Sequence, residues 1–335
     1  MSAASGVPGE VAREGSVSCT PALQPKLPVF VLTGPTGAGK TEWAVRLAER
    51  APVEIVSVDS ALVYRGLDIG TAKPSRALRE RIPHHLIDIC EPTESYSAGR
   101  FLTDALECIR DIHARRRVPL LVGGTMLYLR SLLHGLAVLP HAAPALRAQL
   151  DARAAQRGWP ALHVELAALD PEAAARIAPT DSQRIQRALE VYLSSGRPIS
   201  ELQRATSSPL ADTPLRYWIL APRERALLHE RLARRFEGMM AAGFLEEVRR
   251  LHRGGGLTAR HPAIRAVGYR QLWAHLEGEY GLEEAVRRAV AATRQLARRQ
   301  LTWMRAESRG EWLDADTAEL SWNRDRCHEL GALGL

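Results

Sequence analysis

One segment of the sequence has the residue types and the spacing to hold a phosphate group. Residues 34–41 fit G-x-x-x-x-G-K-[ST] at every position. They are Gly34, Pro35, Thr36, Gly37, Ala38, Gly39, Lys40 and Thr41. In this motif backbone N–H groups converge on phosphate oxygens at a helix N-terminus. Lys40 adds a compact positive charge, and the Thr41 hydroxyl can bind Mg²⁺. The segment does not distinguish ATP, GTP or another pyrophosphate, and a glycine-rich turn without a ligand is the structural alternative.

Two further predicted strands end in residues that could complete such a site. Asp59 follows a strand over residues 53–58, and Gly123, Gly124 and Thr125 follow a strand over residues 118–122. Open α/β sheets bind ligands at this carboxyl edge. Asp59 could hold Mg²⁺ through water, act as a general base or cap a helix. A hydrolysing P-loop ATPase usually has an aspartate where Gly123 and Gly124 stand, so these glycines argue against a motor or ATPase. They permit the close approach of another backbone or a flat ligand.

Lysine is rare in this chain. Of 45 basic residues only Lys26, Lys40 and Lys73 are lysines. The loop over residues 68–74, which contains Lys73, could close on an anion or form a solvated turn. His84 and His85 are adjacent, so on a strand they point to opposite faces and predict no metal site.

Arginine and glutamine gather in three segments of the C-terminal two thirds. In a helix predicted over about residues 283–306, Arg287, Arg294, Arg298 and Arg305 fall within about 20° of one line. Residues 183–187 and 265–271 are the other two segments. This pattern suits an RNA backbone, although a solvated face in an arginine-rich protein is the alternative for each segment alone. We interpret the scattered tryptophans as core residues.

The order of predicted elements indicates an α/β protein. Strands at 28–32, 53–58, 85–89 and 118–122 alternate with helices at 42–50 and 97–116, which predicts a P-loop NTPase-like parallel sheet flanked by helices. From about residue 140 only helices are expected, one of them opened by a capping box at Thr180 and closed by Gly196. A strand at 216–220 then returns the chain to the sheet.

These patterns predict a division of the 335 residues into domains. We expect a disordered extension over 1–26, a core over 27–140 and 206–320, an all-helical insert that contacts RNA over 141–205, and a tail over 321–335.

Composition excludes several classes of protein. Apolar residues make up 46% of the chain and charged residues 25%, so it is not a wholly disordered chain, a collagen or a disulfide scaffold. No apolar run is long enough for a membrane span, and the N-terminus lacks a secretory pattern. The sparse cysteines indicate neither zinc nor a redox pair. We therefore expect a cytoplasmic protein that does not bind membranes. We also expect it to be a monomer.

The motifs together resemble one known family. GPTGAGKT, SVDSALVYRGLDIGTAKP, LLVGGTMLY, SQRIQRALEVY, RAVGYRQ and TRQLARRQLTW occur in the order of the bacterial tRNA dimethylallyltransferases, over about residues 28–314. The resemblance implies transfer of the dimethylallyl group from dimethylallyl diphosphate to N6 of the adenosine immediately 3′ of the anticodon, position 37, with release of diphosphate. The implied cofactor is Mg²⁺ and the implied partner is the tRNA anticodon stem-loop.

The resemblance also implies roles for individual residues. The loop 34–41 would cradle the diphosphate, with Lys40 on it and Thr41 towards Mg²⁺. Asp59 matches the general base for the adenine amine, Thr125 the contact to the flipped base, and Arg235 an arginine on the diphosphate. Stretches that match tRNA contacts comprise Asp59, Ser60, Ala61, Leu62, Thr125, Arg147, Gln183, Arg184, Ile185, Gln186, Arg187, Arg265, Ala266, Val267, Gly268, Tyr269, Arg270, Thr293, Arg294, Gln295, Leu296, Ala297, Arg298, Arg299 and Gln300.

Two other functions fit part of the pattern. A P-loop small-molecule or nucleotide kinase shares the fold and the phosphate loop, but the absence of a carboxylate after residue 122 and the extra arginine segments argue against it. An RNA-binding protein without catalysis would bind tRNA but show no turnover. We favour the prenyltransferase.

Overall fold

A computed structural model describes residues 27–140, 144–204 and 206–316 of the chain. The predicted disordered extension (1–26) and tail (321–335) therefore lie outside the described residues. Within the described residues no helix combines the length and the apolar character that crossing a membrane would require.

Six parallel strands form one sheet at the centre of the molecule, in the order β3-β2-β4-β1-β5-β6. The strands are β1 (Val29–Thr33), β2 (Val53–Val58), β3 (His84–His85), β4 (Val118–Gly123), β5 (Leu215–Ala221) and β6 (Glu311–Asp314). Every residue of β1, β2 and β4 is buried, because helices cover both faces of the sheet. The predicted α/β class with a parallel sheet is confirmed.

Thirteen helices accompany this sheet within the described residues. They are α1 (Lys40–Ala48), α2 (Arg76–Arg81), α3 (Ala98–Ala114), α4 (Met126–His134), α5 (Pro144–Arg157), α6 (Trp159–Leu169), α7 (Pro171–Arg176), α8 (Ser182–Ser195), α9 (Ile199–Arg204), α10 (Arg225–Ala241), α11 (Phe244–Arg253), α12 (Tyr269–Leu276) and α13 (Leu282–Arg305). Helix α1 packs its Trp43 and Leu47 on one face of the sheet. Helices α3, α4 and α10–α13 contribute to the core on the other face.

Helices α5–α9 have an apolar core of their own. Leu150, Leu162, Leu166 and Leu189 are fully buried in it. Helix α8 begins after Asp181, whose carboxylate accepts the Arg184 amide at 3.2 Å, so the cap is Asp181 rather than the expected Thr180. Gly196 ends the helix in the left-handed conformation, as predicted.

One predicted strand was wrong in its bounds, and one observed strand was not predicted. The third strand is only His84–His85, because Leu86 and Asp88 have positive φ angles of 61° and 56° that leave the extended conformation. The sheet also has an edge strand, β6, that the sequence analysis did not anticipate, and it pairs with β5. A four-residue strand with two exposed residues gives little periodic signal.

Candidate active site

The phosphate loop connects β1 to α1 at the carboxyl edge of the sheet. Gly37 and Gly39 take positive φ angles of 81° and 85°, which the turn into the helix requires. Lys40 is the first residue of α1, and its Nζ donates hydrogen bonds to the carbonyls of Gly34 and Pro35, at 2.9 and 2.8 Å. The loop therefore holds its own lysine ammonium. Thr41 follows, exposed in the first turn of the helix.

Charged groups from three elements meet next to this loop. Burial and the nearby guanidinium of Arg235 lower the pKa of Lys40 to about 8, while the carboxylate of Asp59 acts in the opposite direction. Surrounding protein also lowers the pKa of Arg235, again against the effect of Asp59. The Lys40 ammonium, the Arg235 guanidinium and the Asp59 carboxylate thus interact in a partly dehydrated site. An anion that joined them would restore the charged form of Lys40.

Asp59 lies directly after β2 and fixes the turn that follows it. Its Oδ1 accepts the backbone amides of Ala61 and Leu62, at 2.8 and 3.3 Å. Asp59 therefore caps a turn, whereas the sequence analysis had offered a helix cap as one of its possible roles. Its Oδ2 accepts no hydrogen bond from a described residue, so that oxygen remains for a ligand.

The Thr125 hydroxyl stands beside this turn. It accepts the Ser60 amide at 3.0 Å and lies 3.3 Å from the Ser60 hydroxyl. The Thr125 amide also donates to the Val58 carbonyl at 3.2 Å. These hydrogen bonds join the turn after β2 to the turn after β4. Because Thr125 contacts both Val58 and Ser60, it lies beside the intervening Asp59.

The two glycines after β4 are required by close approaches within the protein. A Cβ at Gly123 would lie 2.1 Å from the Val58 carbonyl oxygen, and one at Gly124 would lie 2.5 Å from the Gln300 amide nitrogen. The groups that approach these glycines are thus a backbone carbonyl and a side chain. The sequence analysis had offered either another backbone or a flat ligand.

Gln300 of α13 joins the phosphate loop to the end of β4. Its Oε1 accepts the Thr36 amide and its Nε2 donates to the Gly124 carbonyl, both at 2.9 Å. The side chain is buried. The resemblance placed Gln300 in a tRNA-contacting stretch, whereas its amide group here is occupied by protein partners.

A cleft of about 420 Å³ opens from these groups to the surface. Its wall is built from the turn after β2, the loop before α2, the start of α4, α10, the segment before α12, and α13. The lining residues comprise Thr36, Asp59, Ser60, Ala61, Gly70, Thr71, Gly124, Thr125, Met126, Leu232, Arg235, Phe236, Met239, Arg265, Ala266, Val267, Tyr269, Thr293, Leu296, Arg299, Gln300 and Trp303. The structure thus brings Asp59, Thr125 and Arg235 into one cavity, with Lys40 at its phosphate-loop end.

Glu247 of α11 supports one wall of this cleft and was missed by the sequence analysis. It is buried, and its carboxylate accepts the amides of Asp68, Ile69 and Gly70, at 3.1, 2.8 and 3.2 Å. It also accepts the Tyr269 hydroxyl at 2.5 Å, and burial together with this carboxylate raises the Tyr269 pKa. No local pattern reveals this role, because the partners lie about 180 residues earlier in the chain.

The predicted RNA contacts differ in their exposure. Arg265, Arg270, Arg294, Arg298 and Arg299 are exposed. The side chains of Ile185, Tyr269 and Ala297 are instead buried in helix cores. In the insert, Arg147 and Arg187 both pair with the buried Glu190, at 3.2 and 2.9 Å.

Lys73 and the two histidines have structural partners. The Lys73 side chain is buried and donates to the Tyr64 carbonyl at 2.8 Å, with ion pairs to Asp68 and Asp88. It therefore neither faces an open anion site nor lies in a solvated turn. His84 Nδ1 lies 2.7 Å from the Ile82 carbonyl oxygen, and His85 Nε2 lies 2.7 Å from Glu54 Oε2.

The chain matches known proteins over most of its length. Residues 62–307 match the family model described as IPP transferase, and residues 27–83 match the one described as isopentenyl transferase. The tRNA dimethylallyltransferase of Alkalilimnicola ehrlichii is 58% identical over 87% of this chain and 92% of its own length. The tRNA dimethylallyltransferase of Methylococcus capsulatus is 56% identical over 88% and 94%.

Solved structures of similar proteins also superpose on most of this chain. The tRNA isopentenylpyrophosphate transferase of Bacillus halodurans superposes with a TM-score of 0.67 at 35% identity, over 92% of this chain and 97% of its own. A eukaryotic dimethylallyltransferase captured acting on tRNA superposes with a TM-score of 0.74 at 27% identity, over 89% and 76%.

Proposed function

The chain belongs to the tRNA dimethylallyltransferase family, and on this premise we propose that it transfers a dimethylallyl group from dimethylallyl diphosphate to tRNA. The acceptor would be N6 of the adenosine immediately 3′ of the anticodon, and diphosphate would leave. The observation that supports this reading is that Asp59 and Arg235 line a cleft, interact with Lys40 of the adjacent phosphate loop, and share the cleft with exposed arginines. The family match does not favour the kinase alternative.

The phosphate-loop end suits the departure of diphosphate. In the reaction the allylic C–O bond breaks and a C–N bond forms, so negative charge develops on the leaving oxygens. Lys40 and Arg235 lie where that charge would arise, and fixed charges in a partly dehydrated site stabilise it without reorganisation. When the diphosphate arrives, it would replace the Gly34 and Pro35 carbonyls as partners of the Lys40 ammonium.

The oxygen donors at this end fit Mg²⁺. The ion is usually held in proteins by one or two side-chain oxygens together with substrate phosphates and waters. The Thr41 hydroxyl is exposed in the first turn of α1, where it would supply such an oxygen. Bound Mg²⁺ would neutralise charge on the leaving group.

The carboxylate at the centre of the cleft suits the acceptor. An exocyclic amine is a weak nucleophile and must lose a proton as the C–N bond forms. The unoccupied Oδ2 of Asp59 would accept that proton while Oδ1 stays fixed on the turn amides. The Thr125 hydroxyl, held by Ser60, would orient the amine from the other side.

The adenine must leave the anticodon stack to reach this depth. Extrusion of a base costs a few kcal/mol, which contacts to the rest of the loop must offset. We propose that the exposed arginines of α13, the segment 265–270 and the helical insert provide those contacts. With the RNA seated over its mouth, the cleft would exclude water from the reacting carbon.

A direct turnover assay tests this function. Purified protein is mixed with Mg²⁺, dimethylallyl diphosphate and an unmodified tRNA that carries adenosine 3′ of its anticodon, and the digested RNA is analysed by mass spectrometry. We expect the isopentenylated adenosine to appear. The matched control is the same tRNA with guanosine at that position, which should stay unmodified. Binding of tRNA without product would instead favour the non-catalytic RNA-binding protein.

A further inference from the structure

One large aromatic side chain at the cleft is accessible from solvent. Trp303, in the last turn of α13, is 40% exposed, although the sequence analysis counted the tryptophans as core. Its ring lines the same cavity as Asp59 and Thr125. Leu296, Arg299, Gln300 and Trp303 follow helical spacing, so Trp303 belongs to the cleft-facing side of α13 rather than to its outer arginine line.

Helix α4 completes a small patch around this ring. The helix begins directly after Thr125, and the Cζ of its Arg130 lies 5.7 Å from the centre of the Trp303 ring. Leu127 of the same helix is 53% exposed. Arg130 and Trp303 therefore form a rim patch, one cationic and one aromatic side chain, beside the cleft.

The surroundings of the rim patch match single-stranded RNA better than a protein surface. The exposed Arg298, Arg299 and Arg305 lie within five residues of Trp303, and none forms an ion pair with another described residue. Such a groove attracts a phosphate backbone, while an aromatic ring beside it stacks on any base, since every base has a π face.

The proposed reaction also leaves a nucleobase of the RNA without one of its stacking neighbours. On the proposed function the reactive adenine is extruded into the cavity, so each base that flanked it loses one stacking neighbour. Trp303 stands at the mouth through which that adenine would pass.

We infer that the Trp303 ring stacks on a nucleobase that flanks the reactive adenosine and so replaces the stacking partner that the RNA loses. This inference rests on the proposed function. Arg130, whose guanidinium lies over the Trp303 ring in a cation–π contact, would hold the ring in place and approach the adjacent phosphate. The role is one of RNA positioning, not of bond formation.

The experiment measures the affinity of the full-length protein for a fluorescent anticodon stem-loop without donor. We expect Trp303→Ala to weaken binding on the order of tenfold, the range of one base–aromatic stack, and Trp303→Phe to retain most of the affinity. The matched control is Trp312→Ala, because Trp312 is 46% exposed but lies on edge strand β6 outside the cleft. This control should bind like the wild type.

Stem-loops with an abasic residue identify the stacked base. Removing the base on the 5′ or the 3′ side of the adenosine should weaken wild-type binding for one of the two RNAs, and that same loss should be absent in Trp303→Ala. The inference is overturned if Trp303→Ala binds as tightly as the wild type, or if its loss persists with both abasic RNAs. Wild-type turnover on the intact stem-loop is measured in parallel, so a failure of the proposed function is distinguished from a failure of stacking alone.

Discussion

The two ends of the cleft hold their charges in different ways. At the phosphate-loop end, Lys40 is half-buried, and nearby protein lowers the pKa of both Lys40 and Arg235; both groups interact with Asp59, although part of the Arg235 side chain is exposed. At the RNA end, Arg294, Arg298 and Arg299 are exposed on α13. A charge in a dehydrated site acts strongly on one bound group, whereas exposed charges act weakly and additively and are screened by salt. The difference implies that single substitutions at the first end affect catalysis, and that those at the second end affect affinity and its salt dependence.

The largest expected effect is that of Lys40→Ala. Loss of the ammonium removes the group that meets the developing charge on the diphosphate, and we expect turnover to fall by about 10²–10³-fold. Affinity for tRNA alone should be unchanged, because the RNA end is intact. Arg50→Ala, at an exposed residue beyond the end of α1, is the control and should turn over normally. Equal losses of turnover and tRNA affinity in Lys40→Ala would contradict the separation of the two ends.

A second substitution tests the centre of the cleft. Asp59→Asn keeps an oxygen that can accept the Ala61 and Leu62 amides, so the turn should be preserved. The amide cannot accept a proton from the adenine amine, and we expect kcat to fall by about a hundredfold. Single-turnover rates with saturating tRNA measure this directly. A near-normal rate would show that Asp59 orients the amine without removing its proton.

The lowered pKa of Lys40 predicts a pH dependence of donor binding. With a pKa of about 8 in the free protein, Lys40 is charged below that pH and loses its proton above it, while a bound anion favours the charged form. The donor's terminal phosphate, which resembles a monoester with a second pKa of about 6, is already ionised there. Affinity for dimethylallyl diphosphate without tRNA should therefore be constant just below pH 8 and fall above it, by up to about tenfold per unit. Calorimetric titration of Lys40→Met, which should lack this decline, is the control.

The parts of the site that could be predicted are those whose residues lie close together in the sequence. The phosphate loop was predicted because eight consecutive residues form it, and β2 matched its predicted bounds because buried parallel strands are continuous apolar runs. The bridge from Gln300 to Thr36 spans 264 residues, and Glu247 reaches Asp68 across 179. Periodicity and local motifs carry no information about such pairs.

Exposure was the second quantity that the sequence could not give. Trp303 lies three residues after the buried Gln300 and one before the buried Met304, and helical spacing alone placed it on the packed side of α13. It is exposed because its ring lines the cleft, where Arg130 of α4 is its cation–π neighbour. Tertiary packing between two helices far apart in sequence decides that outcome.

At the RNA end, Arg298→Ala should give a moderate effect. We expect the affinity for tRNA to fall by about fivefold at low salt, and the slope of log affinity against log salt to decrease by about 0.7, the value for one phosphate contact with a single strand. Donor affinity should not change. An unaltered slope would show that Arg298 points to solvent in the complex and that the arginine line is a solvated face.

The smallest expected effect concerns the insert, where the two kinds of charge meet. Glu190 has 1% of its side chain exposed, and it holds Arg147 and Arg187, which are 50% and 30% exposed. A buried carboxylate thus fixes two guanidiniums that still reach the surface. Glu190→Gln keeps the volume but weakens both pairs, so each arginine regains rotamer freedom that RNA binding must remove again. We expect tRNA affinity to fall by about two- to fivefold, with kcat at saturating tRNA unchanged.

Glu201→Gln is the matched control for this substitution. Glu201 pairs with Arg197 at the surface of the same group of helices, with about half of both side chains exposed, and such pairs contribute little. If Glu190→Gln binds tRNA as tightly as Glu201→Gln while its thermal stability falls, Glu190 serves the insert's core and not the presentation of its arginines. If affinity falls and the salt slope stays constant, the arginines still reach the RNA but are less well ordered, and burial of one carboxylate has given exposed charges part of the fixed geometry of the phosphate-loop end.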